Sequence, residues 1–269
     1  MVRDLLSQRD ILKILVSAAE EMMLDGMLDS VKGCLKEEMR MDIISNNLAN
    51  STVIGFKKNR ISFQSQLNQA NAALNQNRIG VTGSADGDSL LIETDMAQGD
   101  FRITGNPMDF AISGDGFFKV MTPDGIRYTR KGNFTLDNEG FLATQQGYKV
   151  LGKGGPINLS GNSIDVDAQG VITVDESETG QLDVVAFQNP ADLIKEGKSL
   201  FKRHEKQLEI GVPSETKVLQ GYTELSNVNV AAEMVQMIHC IRAFESYQKA
   251  IQVIDGINRQ AINEVSRLR

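Results

Sequence analysis

Tryptophan is absent from the 269-residue chain, histidine occurs only as His204 and His239, and cysteine only as Cys34 and Cys240. So little imidazole leaves few groups for acid–base catalysis near neutral pH. Two cysteines so far apart in sequence make neither a disulfide framework nor a zinc site. Both fall in helical segments at opposite ends of the chain; a bridge is geometrically open if those helices pack, and two buried free thiols are the favoured reading. No apolar run reaches the length of a membrane span. Ile11 to Val16 is apolar but contains Lys13, and Glu20-Glu21 stand where a secretory cleavage region needs small neutral residues, so no cleaved signal peptide is expected. There is no long basic stretch either. With a net charge of -7 and a pI near 5.0, nucleic acid and anionic membrane are poor partners.

What is present is a chain that folds: 41% hydrophobic and 23% charged residues place it among globular proteins. It reads as helix, β-rich middle, helix. Residues 27–63 form an N-terminal helical segment in which Met27, Val31, Cys34, Met41 and Leu48 share a heptad stripe, with Glu38 and Ser45 as polar breaks. Gly55, after the polar and β-branched run Asn50 to Ile54, ends it. Residues 64–89, rich in Gln, Asn, Ala, Ser and Gly, read as a linker or extended segment. From 90 to 222 short strand-like runs (Phe117 to Val120, Ile126 to Thr129, Tyr148 to Leu151) alternate with turn formers such as Pro123-Asp124-Gly125, Asn138-Glu139-Gly140 and Ala168-Gln169-Gly170. Pro190 is placed to open a short helical insert.

Residues 223–269 hold the most regular helical pattern. Val230, Met234, Met237, Ile241 and Phe244 alternate at four and three, and the stripe drifts on through Tyr247, Ile251, Ile254, Ile257, Ile262, Val265 and Leu268. Ser226-Asn227 is the candidate N-cap. The fold class is therefore α+β: paired N- and C-terminal helices, coiled-coil-like, around a central antiparallel β-rich domain. A lone helix of this kind is marginal in water and needs a partner, either the other terminal helix or another subunit.

Four motifs invite a chemical reading and fail it. Asp165, Asp167, Gly170 and Glu176 occupy EF-hand loop positions one, three, six and twelve, but the flanks alternate like strands where a calcium loop needs helices. Gly152-Lys153-Gly154-Gly155-Pro156 lacks Walker spacing and has no Ser or Thr after the lysine. His204-Glu205-Lys206-Gln207-Leu208 has Leu208 where a zincin needs its second histidine. Asp137 and Glu139 sit in a turn, and no nucleophile, base and orienting group can be named together. No catalytic, cofactor-binding or metal site is expected. The alternative is a calcium-binding or glycan-cleaving β-rich module.

Three blocks resemble the rod and hook family of the bacterial flagellum. The first is Asp42-Ile43-Ile44-Ser45-Asn46-Asn47-Leu48-Ala49-Asn50 followed by Gly55-Phe56-Lys57, with Val53 where the family usually has Thr. The second runs from Gly105-Asn106-Pro107-Met108-Asp109-Phe110 through Gly114-Asp115-Gly116-Phe117-Phe118 to Tyr128-Thr129-Arg130 and Gly140-Phe141-Leu142. The third is Ser226-Asn227-Val228-Asn229, then Glu233-Met234, Met237-Ile238, Arg242-Ala243-Phe244-Glu245 and Lys249. The resemblance implies a structural subunit of the basal-body rod, not an enzyme. It implies self-assembly through terminal helices, rod and hook-basal-body partners, torque transmission across the periplasm, and delivery by the flagellar export apparatus.

It also implies assembly residues: Asn46, Asn47, Leu48, Asn50, Gly55 and Phe56 at the first block, and Met234, Met237, Ile238, Ile241, Phe244 and Ile251 on the C-terminal helix. The amides of Asn46, Asn47 and Asn50 suit the satisfaction of backbone groups where a helix ends, and Gly55 suits a positive φ. Within the family, the compact chain from Met27 and the Gly154-Gly155-Pro156-Ile157 stretch resemble the proximal-rod type (rod protein F) more than the distal-rod type (rod protein G). Residues 1–26 lie upstream of the resemblance and read as a non-essential extension, with Met22, Met23 and Met27 as plausible starts.

Overall fold

The computed structural model describes residues 8–62, 91–161, 163–204 and 207–267, with side chains described in 24–61, 92–161, 163–204 and 207–260. The expected linker at 64–89 lies outside the described residues, as do the side chains of Ile262, Val265 and Leu268. The chain divides into two units: residues Met1–Ser45 with Ala231–Arg269, and residues Asn46–Val230. Among the described residues no helix is long and apolar enough to cross a membrane.

The first unit holds most of the two long helices, α1 (Gln8–Ala49) and α2 (Val230–Arg267). Helix α1 runs unbroken from Gln8 through Met22 and Met27. Its covered face differs in part from the expected stripe. Of the expected stripe, Cys34, Met41 and Leu48 are half-buried while Met27 and Val31 are exposed, and a further withdrawn line, Gly26, Ser30, Gly33, Glu37, Arg40 and Ile44, is mainly small and polar. The Ser30 hydroxyl donates back to the Gly26 carbonyl at 2.8 Å, which consumes its polarity locally.

Individual contacts explain the small residues. A Cβ at Gly33 would lie 2.5 Å from the Tyr247 ring, and one at Gly26 would lie 3.8 Å from the Ile254 side chain. On α2 the covered heptad is Glu233, Met237, Cys240, Phe244, Ile251, Ile254 and Asn258. It shares Met237, Phe244, Ile251 and Ile254 with the expected stripe, but Val230, Met234, Ile241, Tyr247 and Ile257 are exposed. Glu37 is buried, paired with Arg40 at 3.1 Å and hydrogen-bonded to the Cys240 thiol, whose pKa burial and this carboxylate push up to about 11. Both cysteines are free, Cys240 buried and Cys34 half-buried.

The second unit is antiparallel β throughout its described strands. In chain order these are β1 (Asn59–Ser62), β2 (Leu91–Thr94), β3 (Phe101–Ile103), β4 (Phe110–Ser113), β5 (Phe117–Thr122), β6 (Gly125–Thr129) and β7 (Thr135–Leu136). Then follow β8 (Leu142–Ala143), β9 (Lys149–Gly152), β10 (Gly155–Pro156), β11 (Ile164–Val166), β12 (Val171–Val174) and β13 (Ser177–Gln181). The last are β14 (Val184–Phe187), β15 (Ile194–Glu196), β16 (Leu200–Lys202), β17 (Glu209–Gly211), β18 (Lys217–Gln220) and β19 (Tyr222–Glu224). The main sheet runs β15-β16-β6-β5-β9-β8-β7, with β10 on β9 and with β14 joining β5 to β17. Its central strand, β5, is covered on both faces. Phe118 and Val120 enter one core with Phe110, Phe134, Leu142, Val150 and Ile172, while Phe117 turns into a second with Tyr128, Val185, Phe187 and Phe201. The Phe118 and Phe134 rings meet edge-on at 5.3 Å, and Tyr128 and Phe187 at 4.9 Å.

The expected hairpins are present at Pro123-Asp124 between β5 and β6 and at 167–170 between β11 and β12. In the latter, the Asp167 carboxylate accepts the N–H groups of Gln169 and Val171, so it is committed to the turn. Glu176 lies in the next turn, where Asp175 and Glu176 both have positive φ in a two-residue hairpin. Strand β12 thus separates the acids that a calcium loop would have to gather. Lys153-Gly154 is the tight turn of the β9–β10 hairpin, and Pro190–Asp192 is a single 3-10 turn.

Candidate assembly junction

Residues from the first and third sequence blocks converge within the second unit, where the chain leaves α1 and where it approaches α2. The end of α1 is satisfied by asparagine chemistry, as the residue types suggested. The Asn50 N–H reaches the carbonyls of Asn46 and Asn47 at 3.2 Å, and its side-chain amide donates to the Asn46 carbonyl at 2.8 Å. Asn47 does something the sequence did not suggest. Its buried amide imitates a strand partner for Asn59, donating to the Asn59 carbonyl and accepting the Asn59 N–H, both at 2.9 Å. Asn46 is exposed and contributes its carbonyl, and Leu48 is half-buried.

Gly55 follows with φ +67°, and its N–H donates to the Glu224 carbonyl at 2.8 Å. A Cβ there would sit 2.5 Å from the Lys131 nitrogen and 2.6 Å from the Arg130 carbonyl carbon, so glycine is required twice, by conformation and by space. Phe56 is buried beneath the Lys195 ammonium, which lies 3.8 Å from the ring centroid and donates to the Lys57 carbonyl at 2.6 Å. Burial pulls the Lys195 pKa down to about 8.

At the centre lies a buried ion cluster that sequence reasoning missed. Glu224, fully buried, accepts from Lys57 Nζ at 2.6 Å and from the Gly99 N–H at 3.0 Å, and its second oxygen faces Arg130 Nη1 at 3.4 Å. Lys57 also donates to the Ala97 carbonyl at 2.7 Å, and Arg130 to the Ile112 carbonyl at 3.2 Å with its guanidinium over the Phe117 ring. Desolvation lowers the pKa of Lys57 and of Arg130, with Glu224 acting against it in both. Lys57 and Arg130 are visible in the first and second blocks, but nothing in their spacing announces that the β19–β3 pairing, Glu224 opposite Phe101, delivers a carboxylate between them.

Asn227 is not a helix cap. Helix α2 begins at Val230, and Asn227 instead accepts the Lys58 N–H at 2.8 Å and donates to the carbonyls of Asp95 and Ala97 at 2.9 and 3.0 Å. It ties the segments around residues 58 and 95 to the chain just before α2. The six expected residues on α2 are not part of this junction. Met237, Phe244 and Ile251 lie on the covered face of their helix, and Met234, Ile238 and Ile241 are exposed on it.

The junction therefore binds backbone to backbone. Its polar groups are paired largely with one another. Two family models match the chain: "Flagellar hook protein FlgE/F/G D1 domain" over residues 111–174 and "Flagellar basal body rod FlgEFG protein C-terminal" over residues 219–264. Among curated proteins, the flagellar basal-body rod protein FlgG of Bacillus subtilis (strain 168) is 32% identical, the alignment covering 90% of this chain and 99% of that protein. The FlgG of Borreliella burgdorferi is 35% identical over 87% of this chain and 96% of its own length. The FlgF of Caulobacter vibrioides is 30% identical over 85% and 92%. Relatives of both names match, and the expected preference for the F type finds no support among them.

Proposed function

Because the chain belongs to the flagellar basal-body rod FlgE/F/G family, we propose that its terminal helices pair and that successive subunits pack these helices together in the wall of the rod. The chain is a structural subunit of the flagellar basal body. The observation that carries the assembly reading is the amount of apolar surface left open on both helices. Leu24 is 67% exposed, Leu35 55%, Met234 53% and Ile238 51%. Monomeric proteins rarely leave such stripes uncovered.

Pairing is supported by three contacts that run in opposite directions along the two helices: Gly26 with Ile254, Gly33 with Tyr247, and Glu37 with Cys240. They fit an antiparallel, coiled-coil-like pair in which the small residues of α1 admit the large ones of α2. Identical subunits meeting head to tail build an open filament. A rod of this kind, joined to other rod and hook-basal-body proteins, transmits torque, and the interlocked junction at Gly55, Lys57 and Glu224 suits that load. Names and coverage among the relatives favour the G type over the F type. Passage through the flagellar export apparatus belongs to the same reading.

The experiment is incorporation of Ile241→Asp into basal bodies in cells lacking the wild-type chain. The variant is expected to fold its β unit, seen as an unchanged thermal transition, yet to be absent from purified basal bodies. Normal incorporation would overturn the assembly reading.

A further inference from the structure

Each terminal helix carries a second, outward face two residues out of phase with its covered heptad, and so on the opposite side. On α1 the outward heptad is Leu24, Leu28, Val31 and Leu35, followed by Glu38 and Asp42, all exposed. On α2 it is Val235, His239, Arg242, Ser246, Lys249 and Val253, flanked by Ile238 and Ile257, again all exposed. The α1 face is apolar and ends in acids. The α2 face is apolar at both ends with cations between. We infer that the outward face of α1 in one subunit docks, antiparallel, on the outward face of α2 in a second copy of this chain.

This rests on the rod reading above and deepens it by naming the two surfaces. Charge and register both favour it. Antiparallel alignment that places Asp42 level with Arg242 also sets Val31 level with Val253 and Leu28 beside Ile257. It leaves Lys249 one turn from Glu38. Parallel alignment of the same charges sets Leu24 and Leu28 level with residues 224 and 228, before α2 begins at Val230, and leaves that apolar end uncovered. The two faces differ in sequence, so the contact is heterologous: each copy offers one face to the copy before it and the other to the copy after. Helices then alternate, α1 and α2, around a wall that has no intrinsic end.

Charge reversal tests this in cells lacking their own copy, with the full chain measured in isolated basal bodies. Glu38→Lys/Asp42→Lys and Arg242→Glu/Lys249→Glu are each expected to lower incorporation by about tenfold, since each places like charges in every contact. The quadruple variant, and co-expression of the two double variants, are expected to restore it, because both recreate opposite charges across a heterologous contact. An unchanged β-unit thermal transition separates lost docking from lost folding. The inference is overturned if the double variants incorporate like wild type, or if neither the quadruple variant nor the mixture recovers. It is equally overturned if each double variant recovers only with wild type. Failure of the rod reading looks different: the wild-type chain would itself be missing from basal bodies.

Discussion

Replacing Glu224 by Gln probes the junction with almost no change of shape. Glu224 is fully buried and, among the described residues, is the acid in direct contact with both Lys57 and Arg130. Without its charge, two desolvated cations face each other, and each already has its pKa lowered by burial. Removing one partner from a buried ion cluster costs about 3–5 kcal/mol. For a unit spanning Asn46–Val230 this corresponds to a fall in Tm of roughly 6–20 °C. The exposed pair Arg60–Glu93, at 3.1 Å, is the internal control, and Glu93→Gln should cost about 0–1 kcal/mol. Thermal unfolding of the full chain, followed by near-ultraviolet circular dichroism through the tyrosines of the β unit, gives both numbers. Adding Lys57→Met to Glu224→Gln should cost less than the sum of the two single changes, because it removes one of the stranded cations. The reasoning is refuted if Glu224→Gln lowers stability no more than Glu93→Gln, or if the double variant is strictly additive.

Two further outcomes follow from the same region. Gly55→Ala should destabilise the β unit by about 2–5 kcal/mol, from the φ of +67° and from the clash with the backbone of 130–131, read by urea unfolding. Lys195 has a folded pKa near 8 against about 10.5 for an ordinary lysine, so between these values the unfolded chain binds more protons and stability rises with pH. Wild type should therefore gain stability over Lys195→Met as pH climbs from about 8 to 10.5, and a flat or falling difference in denaturant midpoints would contradict this.

The parts of the fold that were legible in the sequence are those encoded locally. Pro123-Asp124-Gly125 and Asp167 to Gly170 carry the chemistry of their turns, and the strands between them follow. The covered face of α1 is only partly legible, because hydrophobic periodicity finds Cys34, Met41 and Leu48, which are half-buried, and Met27 and Val31, which are exposed, but misses Gly26, Ser30, Gly33, Glu37 and Arg40. A seam of small side chains against large ones has no apolar signature on the small side. Asn227 reads as a cap in the sequence because a cap and a backbone clamp ask for the same side chain. At the junction, Gly55 and the asparagines follow from backbone rules, whereas the Lys57–Glu224–Arg130 cluster joins residues brought together only by long-range strand pairing.

Hydrogen exchange on the full chain, compared between dilute monomer and assembled rods, shows whether neighbouring subunits complete the ordering of the terminal helices. Amides of 24–45 and 231–260 are expected to exchange quickly in the monomer and to become protected in the rod, while those of β5, β6 and β9 are equally protected in both. Equal protection of the helices in the two states would mean that they are ordered without neighbours and are not completed by assembly.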